Sequence, residues 1–138
     1  MAERNPQRSN FTRDRIVVII LDTNIFIYLS NGALKSTVIL DEDISHSSVT
    51  KIEALGFSII PADELLLLNE LFSLPYGLDL TDNVIDCAIK LRQGKRMTLG
   101  DAIIAATALE NDLTLWTVNT KDFSHIDSIK MCNPLPKK

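Results

Sequence analysis

Several acidic residues of this sequence stand where carboxylates do chemistry. Asp22 directly follows the apolar run IVVIIL at 16–21. A carboxylate set hard against a buried strand is costly unless something pairs with it. A metal ion is one such partner, and the backbone amides of a following helix are another. Glu53 lies in VTKIEALGF among Val49, Ile52, Ala54, Leu55 and Phe57. On a short amphipathic helix it reads either as a site acid or as a solvated surface residue. Asp101 stands in GDAIIAATALE, three residues after Thr98, at the spacing of a helix-start signature. It can complement the helix dipole, and it can also hold a cation against a phosphate drawn to the same helix end. Asn119 and Asp122 follow the apolar run LTLWTV at 113–118, where either suits an Asx-type turn. Thr117 adds a hydroxyl able to orient a carboxylate there.

As a set, these groups are hard oxygen donors of the kind that suit Mg²⁺ or Mn²⁺. Divalent ions held by such groups activate water and stabilise a leaving oxygen in phosphoryl chemistry. Thiol and imidazole patterns do not compete. Cys87 and Cys132 form no CxxC pair, Cys87 reads as a small core residue, and His46 and His125 complete no zinc spacing with them. A phosphoacceptor site of the response-regulator kind is disfavoured because Asn24, not a second acid, stands two residues after Asp22.

The elements that must position these groups follow from the apolar periods. The run 16–21 suits a strand buried on both faces, as in a parallel sheet. Residues 24–30 read as a helix stopped at Asn31-Gly32. Residues 36–45 are helix or loop, then a short strand near 44–46. Ser47 or Ser48 caps a helix over 49–55 that Gly56 stops, and 57–60 reads as extended. Pro61 opens a helix through Phe72 whose stripe of Leu65, Leu66, Leu67, Leu68, Leu71 and Phe72 is wider than one core face needs. That helix is either thoroughly buried or packed on a second chain. Thr81 caps a helix ended by Gly94, Thr98 opens the next, 113–118 is a second buried strand, and 126–131 a last short one. Strands alternating with helices predict an α/β domain with a mostly parallel sheet.

The 138 residues suit one domain, with boundaries expected at 16–132 between a flexible basic arm (1–15) and a tail (133–138). The arm lacks the apolar core of a signal peptide, and no apolar run reaches the ~20 residues of a membrane span. The cytoplasm is the expected compartment, with no membrane partner. A net charge of −4 argues weakly against nucleic acid. Acids gathered at a metal site lower that sum without making the rim acidic.

The strings LDTNIFIYL, VTKIEALGF, GDAIIAATAL and WTVNTKDF, in this order, resemble the PIN-domain family, specifically VapC-type toxins of bacterial toxin–antitoxin pairs. The resemblance covers about 16–132. It implies a three-layer α/β/α sandwich and a Mg²⁺- or Mn²⁺-dependent endoribonuclease that leaves a 5′-phosphate and a 3′-hydroxyl. By motif it implies Asp22, with Asn24 as its companion, then Glu53 and Asp101. In the fourth block many PIN domains carry an acid directly after the strand, whereas this chain has Asn119, with Asp122 three residues on and Thr117 before it. Asn119, Asp122 or both complete the set. Lys90, Arg92, Lys95 and Arg96 precede Asp101 and either contact the RNA backbone or simply complement a helix C-terminus. The implied partners are an RNA substrate, of the transfer-RNA class, a cognate antitoxin in the active-site groove, and a second copy in a homodimer. A PIN nuclease of RNA processing and an inactive binding module of the same fold are the alternatives.

Overall fold

The computed structural model describes residues 18–73 and 76–135. The strands are β1 (Ile19–Leu21), β2 (Ile44–Ser47), β3 (Gly77–Leu78), β4 (Thr114–Trp116) and β5 (Lys130–Cys132). The helices are α1 (Thr23–Asn31), α2 (Ser48–Leu55), α3 (Ala62–Phe72), α4 (Asp82–Gly94) and α5 (Leu99–Glu110). Single 3-10 turns stand at Ser36–Ile39 and Thr120–Asp122. The expected arm, residues 16–17 of the expected first strand, and 136–138 of the tail lie outside the described residues.

The strands form one sheet in the order β3-β2-β1-β4-β5, and each pairing is parallel. Ile19 pairs with Ile44 on one side and Thr114 on the other, so β1 is interior. Successive side chains of a strand point to opposite faces. Ile20 and Leu115 accordingly pack on Val84 and Ala88 of α4 and on Ala102, Ala105 and Ala106 of α5. Ile19, Leu21 and Ile44 pack on the other face against Ile25, Phe26 and Leu29 of α1, Ala54 of α2, and Leu68 and Phe72 of α3. Helices on both faces give an α/β/α sandwich. They also explain why 16–21 shows no polar alternation: both faces of the strand are covered.

The helix caps follow the sequence signals. The side chains of Asp22, Ser47, Thr81 and Thr98 each accept a backbone N–H at the start of α1, α2, α4 and α5. Gly32, at φ 85°, ends α1 in the left-handed region that glycine favours. Gly56 ends α2 for a different reason. A Cβ there would stand 2.5 Å from the Ile52 carbonyl oxygen.

Residues 57–60 lie in a loop outside the sheet, with Phe57 and Ile59 exposed. The sheet edge beside β2 is the two-residue β3, which is too short to carry an apolar period. Of the two readings of the α3 stripe, thorough burial does not hold. Leu68 and Phe72 are core, but Leu66 is 64% exposed. An open apolar cleft of about 380 Å³ lies between α4 and α5, lined by Leu80, Ile85, Ala88, Ile89, Leu99 and Ile103. Cys87 packs partly buried against the core, where burial pushes its thiol pKa up. Among the described residues, no helix is long and apolar enough to cross a membrane.

Candidate active site

The strand order places the site. From β1 the chain builds β2 and β3 on one side, then returns to add β4 and β5 on the other. The direction of growth therefore reverses between β1 and β4. In an open parallel sheet that reversal leaves a crevice at the carboxyl ends of the strands. Asp22 leaves β1 there, and Thr117 leaves β4 beside it.

Asp22 is only 5% exposed, yet both of its carboxylate oxygens are satisfied. Oδ1 accepts the Thr23 N–H at 2.8 Å, and Oδ2 accepts the Thr117 hydroxyl at 2.7 Å. The Thr117 oxygen in turn accepts the Asn119 N–H at 3.0 Å, which fixes the direction of its own proton. The two readings of Asp22 are thus compatible: it caps α1 and it faces the crevice.

Glu53 arrives from α2, whose Ala54 turns into the core while Glu53 turns out. Its Oε1 accepts the Thr23 hydroxyl at 2.7 Å, and that hydroxyl lies 3.2 Å from the buried Thr50 hydroxyl. The other oxygen lies over the start of α5. A Cβ added to Gly100 would come within 2.5 Å of Glu53 Oε2. The carboxylate therefore occupies the space that the missing side chain leaves.

Asp101 sits in the first turn of α5, with its backbone N–H donated to Thr98 Oγ1 at 3.1 Å. Its carboxyl pKa is pushed up to about 6, first by burial, then by the negative charges of Asp22 and Asp122, with Glu53 adding to them against the Thr98 hydroxyl. The Asp22 pKa is raised as well, chiefly by burial, with Glu53 and Asp122 adding, while the bonds from Thr117 and Thr23 oppose the rise.

Asp22, Asn24, Glu53, Asp101 and Asn119, with Thr23, Ile27 and Phe57, line one cleft of about 230 Å³. Asp122 lines a second cleft, of about 240 Å³, with Lys95, Arg96, Met97, Thr98, Asp101, Lys121 and His125. The two candidates for the fourth position therefore face different spaces, and Asp101 borders both. The basic run divides. Lys95 and Arg96 border the second cleft. Arg92 donates through Nε to the Met97 carbonyl at 3.3 Å and lines the apolar α4–α5 cleft. Lys90 is exposed on α4, near Cys87. Thr23, Thr50, Gly100, Phe57, Lys121 and His125 were not singled out from the sequence as site groups. Only contacts between distant segments reveal them.

Among the described residues, no three Asp, Glu, His or Cys side chains stand close enough to hold one ion as they are arranged. The donor set nonetheless suits a hard cation. Asp22, Glu53, Asp101 and Asn119 offer oxygen ligands, and nearby carboxylate charge adds to burial in raising the pKa values of Asp22 and Asp101. Among the described residues, none of these three acids is ion-paired with Lys or Arg.

Burial together with this excess of negative charge predicts a pH dependence for the metal-free protein. The folded pKa of Asp101, about 6, lies above its ordinary value of 3.8, so the folded state binds more protons than the unfolded one between those pH values. Its contribution to stability is fully present below about pH 4 and is lost as pH rises through about 6. In EDTA, the melting temperature is expected to fall over that interval, with a smaller fall in Asp101→Asn. Parallel melting curves for the two proteins across this range would show that the acids do not interact as described.

A PIN-domain family model matches residues 19–129. Among solved structures, the chain is similar to one in a VapBC2 complex from Rickettsia felis bound to a promoter DNA fragment. Identity is 24% over 85% of this chain and 98% of that one, with a TM-score of 0.71. A toxin–antitoxin complex from Klebsiella pneumoniae matches at 27% identity over the same shares, TM-score 0.63. FitAcB from Neisseria gonorrhoeae matches at 25% identity, also over 85% and 98%, TM-score 0.64. No curated protein matches the chain.

Proposed function

The chain belongs to the PIN-domain family, and on that premise we propose that it is a divalent-metal-dependent endoribonuclease acting as the toxin of a toxin–antitoxin pair. The observation that carries this reading is the meeting of Asp22, Glu53 and Asp101 in one cleft at the carboxyl edge of a parallel sheet. The structural likeness to a chain of a toxin–antitoxin complex supports the biological setting.

In this reading Asp22 and Asp101 hold Mg²⁺ or Mn²⁺, with Glu53, Asn119 and Asp122 completing the oxygen set and Asn24 beside them. Bound there, the ion supplies Lewis acidity toward a phosphodiester and lowers the pKa of water. The remaining work belongs to the chain. Thr117 and the Thr23 N–H hold the Asp22 carboxylate in place, so it meets a cation without a rotamer search. Glu53 is hydrogen-bonded through Oε1, leaving Oε2 for a proton or a ligand. The N-terminus of α5 presents unpaired amides and positive dipole beside Asp101, which favours a phosphate at that point.

The proposed partners follow from exposed surfaces. Ile52, Phe57 and Ile59 are solvent-exposed, and Phe57 also lines the acid cleft. An antitoxin segment crossing the groove would cover this apolar rim. The α4–α5 cleft is the surface we assign to a second copy of the chain. The substrate class is transfer RNA, the compartment cytoplasmic, and the functional unit 16–132.

The purified chain is expected to cleave transfer RNA in Mg²⁺ or Mn²⁺, to lose that activity in EDTA, and to sediment as a dimer. A monomer mass removes the dimer from the reading. Asn119 in the acid cleft favours one second reading, an inactive binding module. The absence of both RNA cleavage and calorimetric heat on Mn²⁺ titration would select it.

A further inference from the structure

The second cleft has a composition that the acid site does not explain. Lys95, Arg96 and Lys121 border it from two separate segments, the α4–α5 connection and the turn after β4. All three are exposed, and among the described residues none has an ion-pair partner, although Asp101 and Asp122 border the same space. His125 supplies a further wall. Its two ring nitrogens are buried and have no hydrogen-bond partner in the protein. A buried N–H left in that state costs free energy that an incoming acceptor would recover. Three unpaired cations and an unpartnered imidazole around one small cavity are the chemistry of an anion site. The cavity shares Asp101 with the acid cleft, so a chain passing from one to the other crosses the start of α5.

We propose that Lys95, Arg96, Lys121 and His125 form a subsite for a backbone phosphate of RNA, next to the one cleaved in the acid cleft. The subsite rests on the nuclease reading above and adds to it a binding register: the phosphate docks on the far side of Asp101 from Asp22. Arg96 and Lys121 bind it by charge, and His125 turns an N–H to it. The base attached to that phosphate is not read, because the wall offers cations to the backbone.

Binding of a fluorescent single-stranded RNA, followed by anisotropy in EDTA across a salt series, tests the subsite without any cleavage. Each of Arg96→Ala and Lys121→Ala is expected to lower the slope of log affinity against log salt by about 0.7. Lys121→Arg is expected to keep it, and Lys35→Ala, outside both clefts, to leave it unchanged. His125→Ala is expected to weaken binding about tenfold. Unchanged slopes in Arg96→Ala and Lys121→Ala overturn the subsite even if the protein cleaves RNA normally. Reduced slopes without cleavage in Mn²⁺ keep the subsite and reject the nuclease reading instead.

Discussion

Asp101→Asn is expected to lower the rate of RNA cleavage by about 10²–10³-fold, the size of effect that losing one electrostatic group at a reacting centre produces. The substitution keeps shape and removes charge. The N–H that α5 donates to Thr98 belongs to the backbone at 101, so the cap survives. What changes is the field. Asp101 borders both clefts, and its pKa of about 6 records burial and the charges of Asp22, Asp122 and Glu53 around it. A divalent cation would be held by that excess of negative charge, and the neutral amide takes away a share of it. The same change relieves repulsion when no metal is present. The variant should therefore melt higher than the parent in EDTA at pH 7 and gain less from added Mn²⁺. Full activity in Asp101→Asn would remove this acid from the site; lost activity with a lowered melting temperature in EDTA would show damage to the fold instead.

Gly100→Ala is expected to cut cleavage by about 10–100-fold, the range seen when a group that orients a metal ligand is lost. The added methyl would stand 2.5 Å from Glu53 Oε2 and 3.1 Å from Glu53 Cδ, closer than such contacts allow. Glu53 is a long side chain, so it can swing away. Doing so breaks the 2.7 Å bond from the Thr23 hydroxyl and moves the carboxylate out of the cleft. Helix propensity works in the opposite direction, because alanine in place of glycine favours α5 by up to about 1 kcal/mol. The variant is thus expected to be folded and no less stable, but slow. A double-mutant cycle isolates the cause. If Gly100→Ala acts by displacing Glu53, it adds almost nothing to Glu53→Gln. Fully additive losses would place the effect of the methyl somewhere other than Glu53.

Much of this site is legible before folding, for local reasons. Asp22 was visible because a carboxylate follows an apolar strand, Asp101 because Thr98 stands at capping distance in sequence, and Thr117 because a hydroxyl precedes the turn after β4. The layers were legible too, since a strand without polar alternation must be covered on both faces. Glu53 was harder. By composition alone it reads as a surface acid, and only its motif singled it out. Its contacts with Thr23, thirty residues away, and with Gly100 exist because α2 and α5 meet at the edge of the sheet.

The sequence by itself determined most element types, the caps of α1, α2, α4 and α5, and the presence of an acid at the end of β1. Each of these depends on neighbours within about one helical turn or one strand. Only the tertiary structure shows that Asn119 lines the cleft of Asp22, Glu53 and Asp101, while Asp122 lines the neighbouring cleft with Lys121 and His125 yet stays close enough to Asp22 and Asp101 to raise their pKa values. The two residues share one short turn, so their local signals are alike. That turn curls into a 3-10 segment with Phe123 buried behind it. It is packing between segments far apart in the chain, absent from any local pattern, that divides the acidic set between two clefts.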